Sequence, residues 1–289
     1  MPKVSILISV YQSEKYVEEC LKSLLNQTYK DFEIIIIEDP PYDNTKNIIN
    51  IINNEKILYI RNENKLGLSK TRNKCIDNSS GKFLFFTDDD CTVKNDWLEE
   101  GIKTFENDDC IGVEGLPHYV SPDYKTTISD KVYIGRSKQG GNYMTMNMAY
   151  KSDLFKKIDG FDERLDAFED RDLALRALKI GKIPFNPKMI VYHQKITLTP
   201  KEFIKTAKRI KDRVIMFKKH KEKPRSLWRI IRPKNLLTIF FPPLILTSFF
   251  TYRYKTREDF ILLPCLYARA VYERIILWKT SFKERVFLI

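Results

Sequence analysis

Residues 83–91 read FLFFTDDDC. Four large apolar side chains and a β-branched threonine form a short run fit for a core strand. Three carboxylates follow at once: Asp88, Asp89 and Asp90. Adjacent like charges repel and resist burial. The two halves are compatible if the strand ends on a lip where the core opens to solvent. A second stretch repeats the pattern. Glu33–Asp39 reads EIIIIED and is stopped by Pro40-Pro41. Its continuous apolar run suits a parallel strand buried on both faces.

Working outward, Lys3–Val10 is rich in β-branched residues and predicts a first strand. Its apolar run is short and lacks a small-residue cleavage site, so it reads as a strand and not as a signal peptide. Ser13 is a candidate N-cap for a helix carrying Val17, Cys20, Leu21, Leu24 and Leu25 at helical spacing. The pattern then predicts a helix over Thr45–Ile52, a strand over Ile57–Arg61, a helix over Leu68–Asp77, the strand Lys82–Thr87 and a helix over Asn95–Glu106. This alternation predicts right-handed βαβ units and a parallel sheet. Ligands of such sheets sit at the C-terminal strand ends, where both acid clusters fall. Residues 111–150 read as irregular, with a turn at Gly140-Gly141-Asn142. Short helices follow at Ser152–Ile158 and Phe168–Ile180, the latter closed by Gly181.

The chain has 289 residues and a formal charge of +12. Residues 201–289 hold 22 Lys and Arg against 7 Asp and Glu, and the first 200 hold 28 against 31. The basicity belongs to the tail and predicts a polyanionic partner there, membrane or nucleic acid. Five scattered cysteines without a CxxC pair fit a reducing, intracellular compartment.

Three aspartates after a strand fit either a solvated turn with helix-capping acids or hard oxygen ligands for Mg²⁺ or Mn²⁺. The sequence contains no HExxH, no GxxxxGK[ST] and no GxGxxG after the first strand. Zinc hydrolysis, P-loop chemistry and nicotinamide binding are therefore poor fits. Glu169, Asp170 and Asp172 open the Phe168–Ile180 helix, where acids also simply favour the helix dipole. His193 follows a predicted strand.

In order, VSILISVYQSEKYVEECLKSLLNQTYKDFEIIIIED…DNT, NKLGLSKTRNKCIDNSSGKFLFFTDDDC and FDERLDAFEDRDLALRALKIG resemble the successive segments of family 2 glycosyltransferases of the GT-A fold. The resemblance covers about residues 1–195. It implies an α/β fold, a Rossmann-like mixed sheet flanked by helices, and transfer of a sugar from a nucleotide-diphosphate sugar to a hydroxyl with inversion. Asp170 matches the general base, with Glu169 orienting it or serving as base itself. Val10, Tyr11, Glu38, Asp39, Lys65, Gly67, Arg72, Asn73, Asp88 and Asp89 match nucleotide-binding positions. Within that set Asp39 is placed to accept from a nucleobase imide, and Arg72 lies near the base and phosphates. Asp88 and Asp90 frame the DXD motif, with Asp89 an equal alternative, and His193 can complete the shell of a Mn²⁺ or Mg²⁺ ion. One segment departs from the family: DDGSTDNT stands here as EDPPYDNT. Two prolines stiffen that loop and remove two donors. UDP is the expected nucleotide, with GDP and dTDP as alternatives.

The expected division is a catalytic domain over 1–200, with a nucleotide-binding half (1–110) and an acceptor half (111–200), and a basic helical extension over 201–289. Phe203, Ile204, Ala207, Ile210, Val214 and Phe217 predict a basic amphipathic helix. Leu236–Tyr252 is apolar, near the lower length limit for a span and broken by Pro242-Pro243, which favours two interfacial segments or a re-entrant hairpin over a span; Phe260–Trp278 carries charges and is not a clean span. The whole predicts an enzyme held peripherally at the inner face of the cell membrane, on anionic lipid, meeting a glycan or lipid-linked acceptor. The rival readings are a nucleotidyltransferase, which lacks its glycine-rich loop here, and a basic nucleic-acid-binding protein, which the acids at the strand ends would repel.

Overall fold

The computed structural model describes residues 2–120, 140–194, 200–220 and 257–286. The chain forms two units, Met1–Arg164 with Glu169–Lys195, and Leu165–Phe168 with Ile196–Ile289.

In chain order the first unit contains β1 (Val4–Val10), α1 (Val17–Leu25), β2 (Phe32–Glu38), α2 (Thr45–Ile52), β3 (Ile57–Arg61), α3 (Leu68–Asp77), β4 (Phe83–Phe86), β5 (Cys91–Val93) and α4 (Trp97–Asn107). It continues with β6 (Gly112–Val120), β7 (Met148–Lys151), α5 (Asp153–Ile158), α6 (Glu169–Ala177) and β8 (Phe185–Gln194). The eight strands form one sheet in the order β3-β2-β1-β4-β7-β6-β8-β5. β1 pairs in parallel with β2 and β4, and β2 with β3. β7 is antiparallel to β4 and β6, and β5 to β8.

The apolar runs are continuous because the central strands are buried on both faces. Ile6, Ile8, Ile34, Ile36, Phe83 and Phe85 face one core with α1 and α4, and Leu7, Ile35, Ile37, Leu84 and Phe86 face the other. Cys75 of α3, Phe155 of α5 and Leu173 of α6 complete that second core. Strand periodicity sends alternate side chains to opposite layers.

Three features differ from the sequence reading. Residues 112–120 and 148–151 are strands where irregular chain was expected, and β5 follows the aspartates directly. Ser13 opens α1 through its carbonyl, which accepts from the N–H groups of Tyr16 and Val17, and its side chain makes no cap. The predicted Phe168–Ile180 helix is the shorter Glu169–Ala177.

The second unit comprises α7 (Pro200–Lys205), a 3₁₀ turn at Thr206–Arg209, α8 (Ile210–Lys219) and α9 (Arg257–Lys283). Ile210, Val214 and Leu277 form its core. Ile210 and Val214 of the predicted amphipathic helix thus pack inward within this unit, and Lys205, Lys208 and Lys218 are exposed. Asp212 is buried and accepts from the Ala167 N–H at 3.0 Å; burial pushes its carboxyl up to about 6. Among the described residues no helix is long and apolar enough to cross a membrane. Trp228 and Leu236–Tyr252 lie outside the described residues.

Gly81 leads into β4 at a point of close backbone approach. A Cβ there would stand 2.5 Å from the backbone nitrogen of Ser5. Gly81→Ala is therefore expected to destabilise the protein by about 1–3 kcal/mol through overpacking, read as a lower denaturation midpoint with an unchanged slope.

Candidate active site

The C-terminal ends of β1, β2 and β4 lie at one edge of the sheet because those strands are parallel. The residues that follow them build the site. Asp39, just past β2, is buried. Its Oδ1 accepts from Asn62 Nδ2 at 2.7 Å, and its Oδ2 from the N–H groups of Leu66 and Gly67 at 3.2 and 2.8 Å. Gly67 takes φ +87°, a conformation suited to glycine, and so turns its N–H to Asp39 while starting α3. The buried Val10 fixes the same corner through its carbonyl, which accepts from the Asp39 N–H at 2.9 Å. The next residue, Tyr11, gives its N–H to Asp89 Oδ2 at 3.4 Å, and its exposed ring lies 3.9 Å from Lys65 Nζ. Burial, then Asp90 and Asp88, push the Asp89 carboxyl up to about 7.

Arg72 of α3 is buried between two acids. Nη2 reaches Asp88 Oδ1 at 2.9 Å and Nη1 reaches Glu169 Oε1 at 2.5 Å. Burial opposes its charge, but Asp88 and Glu169 outweigh that cost and hold the guanidinium charged. Glu169 is thereby paired with a cation. Asp170 Oδ1 accepts from the Arg171 N–H at 2.6 Å. Burial first, and the Glu169 charge second, raise the Asp170 carboxyl to about 7, within reach of a general base working near neutrality.

The antiparallel pairing of β5 with β8 places Cys91 opposite His193. Asp88, Asp90, Cys91 and His193 each offer one ligand atom, all within 4.8 Å of one another. His193 Nε2 stands 3.4 Å from Asp90 Oδ1, while its Nδ1 faces the Gln194 carbonyl at 2.6 Å. Nδ1 must donate to that carbonyl, so a neutral ring turns the Nε2 lone pair toward a carboxylate. Two acceptors facing each other require a cation or a proton between them. The oxygen and nitrogen donors suit a divalent ion. Asp89 is not part of this cluster, since it faces Tyr11. Cys91 was not foreseen as a ligand; its only signal was its position directly after the three aspartates.

Two expected nucleotide contacts face elsewhere. Glu38 is fully buried against Tyr59 and Arg61, with Arg61 Nε 2.7 Å from its Oε2, so it anchors β3 and is shut away from solvent. Asn73 uses both ends of its amide on the Phe161 backbone, at 2.8 and 3.0 Å, and so fixes the loop before α6.

Removing the arginine should expose this dependence. Arg72→Ala leaves Glu169 buried without its cation and is expected to cost about 3–5 kcal/mol. Urea unfolding of the wild type and the variant measures the deficit as a lower midpoint.

The mixed sheet with flanking helices is the GT-A glycosyltransferase architecture. A mannosyltransferase from Pyrobaculum calidifontis, solved with GDP-Man and Mn²⁺, superposes with a TM-score of 0.65 at 14% identity, over 98% of this chain and 88% of that one. TarS 1–349 of Staphylococcus aureus, solved with UDP-GlcNAc, gives 0.55 at 18% identity over 99% and 93%. An uncharacterized glycosyltransferase of Methanocaldococcus jannaschii is 29% identical over 197 residues, 61% of this chain and 65% of that protein. A glucosyl-dolichyl phosphate glucuronosyltransferase of Haloferax volcanii is 29% identical over 180 residues, 55% and 56% of the two chains. The chain spans less than two thirds of the length of either relative. The family model described as glycosyl transferase family 2 matches residues 5–159, more than half of the sequence. The chain belongs to glycosyl transferase family 2.

Proposed function

We propose that this protein transfers a glycosyl group from a nucleotide-diphosphate sugar to a hydroxyl, with inversion at the anomeric carbon. The observation that carries the reading is the Arg72 fork. It ties Asp88 of the candidate metal cluster to Glu169 and, among the described residues, leaves the neighbouring Asp170 without a direct ion pair. Asp170 takes the proton of the acceptor hydroxyl as that oxygen bonds to the anomeric carbon. The bond from that carbon to the diphosphate breaks, and its electron pair leaves with the diphosphate. Asp88, Asp90 and His193 are the residues that would hold Mn²⁺ or Mg²⁺, which supplies positive charge to the leaving group. Lys65 and Tyr11 flank the nucleotide. A carboxylate offers about four acceptor positions; three on Asp39 are filled, and one on Oδ1 is left for an imide N–H. That fits the imide of a uracil or thymine base, with a UDP-sugar as the expected donor.

The acceptor on this reading is a glycan or lipid-linked hydroxyl, met at an anionic membrane face through the basic 201–289 unit. Ile275, Trp278 and Phe282 are exposed at helical spacing on α9, beside exposed Lys279 and Lys283. Apolar side chains flanked by lysines match an anionic lipid interface.

Thermal-shift measurement against UDP-, GDP- and dTDP-sugars with Mn²⁺ tests the donor and the site together. One nucleotide is expected to stabilise the wild type and Asp170→Asn but not Asp90→Ala. Turnover should fall by about 10²–10⁴-fold in Asp170→Asn. In the wild type it should rise with pH to half its plateau near the Asp170 value of about 7, because the base works deprotonated. Stabilisation by no nucleotide would remove the reading.

Membrane attachment has its own test. The full chain should float with phosphatidylglycerol vesicles and not with neutral ones. Trp278→Ala with Phe282→Ala should leave it in the pellet.

A further inference from the structure

The candidate metal cluster contains a sulfur that the proposed transfer does not use. Cys91 is fully buried, and its Sγ lies 3.7 Å from Asp90 Oδ1. Cys91 and His193 are directly opposed across an antiparallel pair, so their side chains leave the same face of the sheet. Sulfur and Nε2 thus approach the same carboxylate oxygen, at 3.7 and 3.4 Å. In a tetrahedral ion site with Zn–O and Zn–N near 2.1 Å and Zn–S near 2.3 Å, the edges between ligand atoms are about 3.3–3.7 Å. Two edges of that tetrahedron are present. The remaining ligand atoms, all within 4.8 Å of one another, need to close by at most about 1.5 Å. Asp88 gives one oxygen to Arg72 and keeps the other as a donor.

We propose that Asp88, Asp90, Cys91 and His193 close around a thiophilic divalent ion, Zn²⁺ or Co²⁺, as a four-coordinate site with the Cys91 thiolate as fourth ligand, and that this ion shuts out the donor diphosphate. The proposal rests on the reading of Asp88, Asp90 and His193 as metal ligands and adds a second metal chemistry at the same place. Hard ions such as Mg²⁺ and Mn²⁺ bind through the oxygen and nitrogen donors, leave the buried thiol protonated, and keep coordination positions open for a diphosphate. A soft-tolerant ion forms a metal–sulfur bond, and the thiol proton passes to solvent. Four protein ligands fill a tetrahedral shell and leave no position for substrate. The enzyme would then be inhibited by Zn²⁺ at the site that Mn²⁺ activates.

Cobalt reports the ligand atoms directly. The full-length protein is loaded with Co²⁺ without nucleotide and its absorption spectrum recorded. The expected spectrum has a near-ultraviolet sulfur-to-cobalt charge-transfer band and intense visible bands of four-coordinate Co²⁺. Cys91→Ser should lose the charge-transfer band and bind Zn²⁺ roughly tenfold or more weakly, with a smaller loss for Mn²⁺ followed by electron paramagnetic resonance. Cys91→Ala removes the sulfur without adding a buried hydroxyl, and thermal unfolding of both metal-free variants checks that they are folded. Asp90→Ala should lose both Co²⁺ and Mn²⁺. A wild-type Co²⁺ spectrum without the charge-transfer band overturns the proposal and leaves the transfer reading intact. A band that survives in both cysteine variants also overturns it, because another of the cysteines would then be the ligand. Failure of the wild type to bind either Co²⁺ or Mn²⁺ overturns the metal-ligand reading itself, and this proposal with it.

Discussion

The geometry of the site depends on one buried guanidinium. Arg72 comes from α3, Asp88 from the end of β4 and Glu169 from the start of α6, three segments far apart in sequence. Desolvating a charge costs several kcal/mol, and a buried pair often breaks even against apolar packing. What the pair supplies here is registry. The planar fork reaches two carboxylates at once, which a lysine could not do with the same geometry. A small displacement of α6 would leave Glu169 buried and uncompensated. The Phe161 ring lies 5.7 Å from the guanidinium carbon, and Asn73, the next residue on α3, clamps the Phe161 backbone. Adjacent residues of α3 therefore fix both the acid that opens α6 and the loop before it.

The sheet explains why so many acids tolerate one another. Parallel strands end together, so the residues that follow them gather at one edge of the sheet, outside the layers packed on its faces. Asp88 to Asp90 leave a fully buried strand within a single turn and diverge in direction. Asp88 turns to Arg72, Asp89 to the Tyr11 N–H, and Asp90 to His193 and Cys91. Three identical residues in a row thus have three different environments. Which of them belongs with the metal cluster is decided by where β8 lies, several strands away from β4 in the sheet.

The nucleotide half was legible because its signals are local. Isoleucine and phenylalanine runs mark strands buried on both faces, and the alternation with amphipathic helices fixes the parallel order. The later strands were not legible for the same reason. Gly112–Val120 contains glycine, proline and a buried glutamate that looks surface-bound in sequence. Glu114 is buried because it accepts from the N–H groups of Gly141, Asn142 and Tyr143, at 2.5, 2.9 and 2.8 Å. That is a long-range pairing, and no periodicity reports it. The same limit hid Cys91, whose relation to His193 exists only through β5–β8 pairing. Glu38 and Asn73 show the converse error. Their positions suggested ligand contacts, but a neighbouring strand and a loop claim their polar atoms first.

Glu169 and Asp170 are consecutive acids, and sequence alone gives them equal standing. The fold separates them. Successive residues of a helix point about 100° apart, so only one can face Arg72. The one that does is Glu169, whose Oε1 is taken up by the guanidinium. The other inherits the repulsion of its partner and the cost of burial, and both effects favour its protonated form. On the proposed reading Glu169 is the positioning acid and Asp170 the one that would take the proton. The asymmetry comes from the arginine, so the choice of base is made on α3, nearly a hundred residues before the acid that would act.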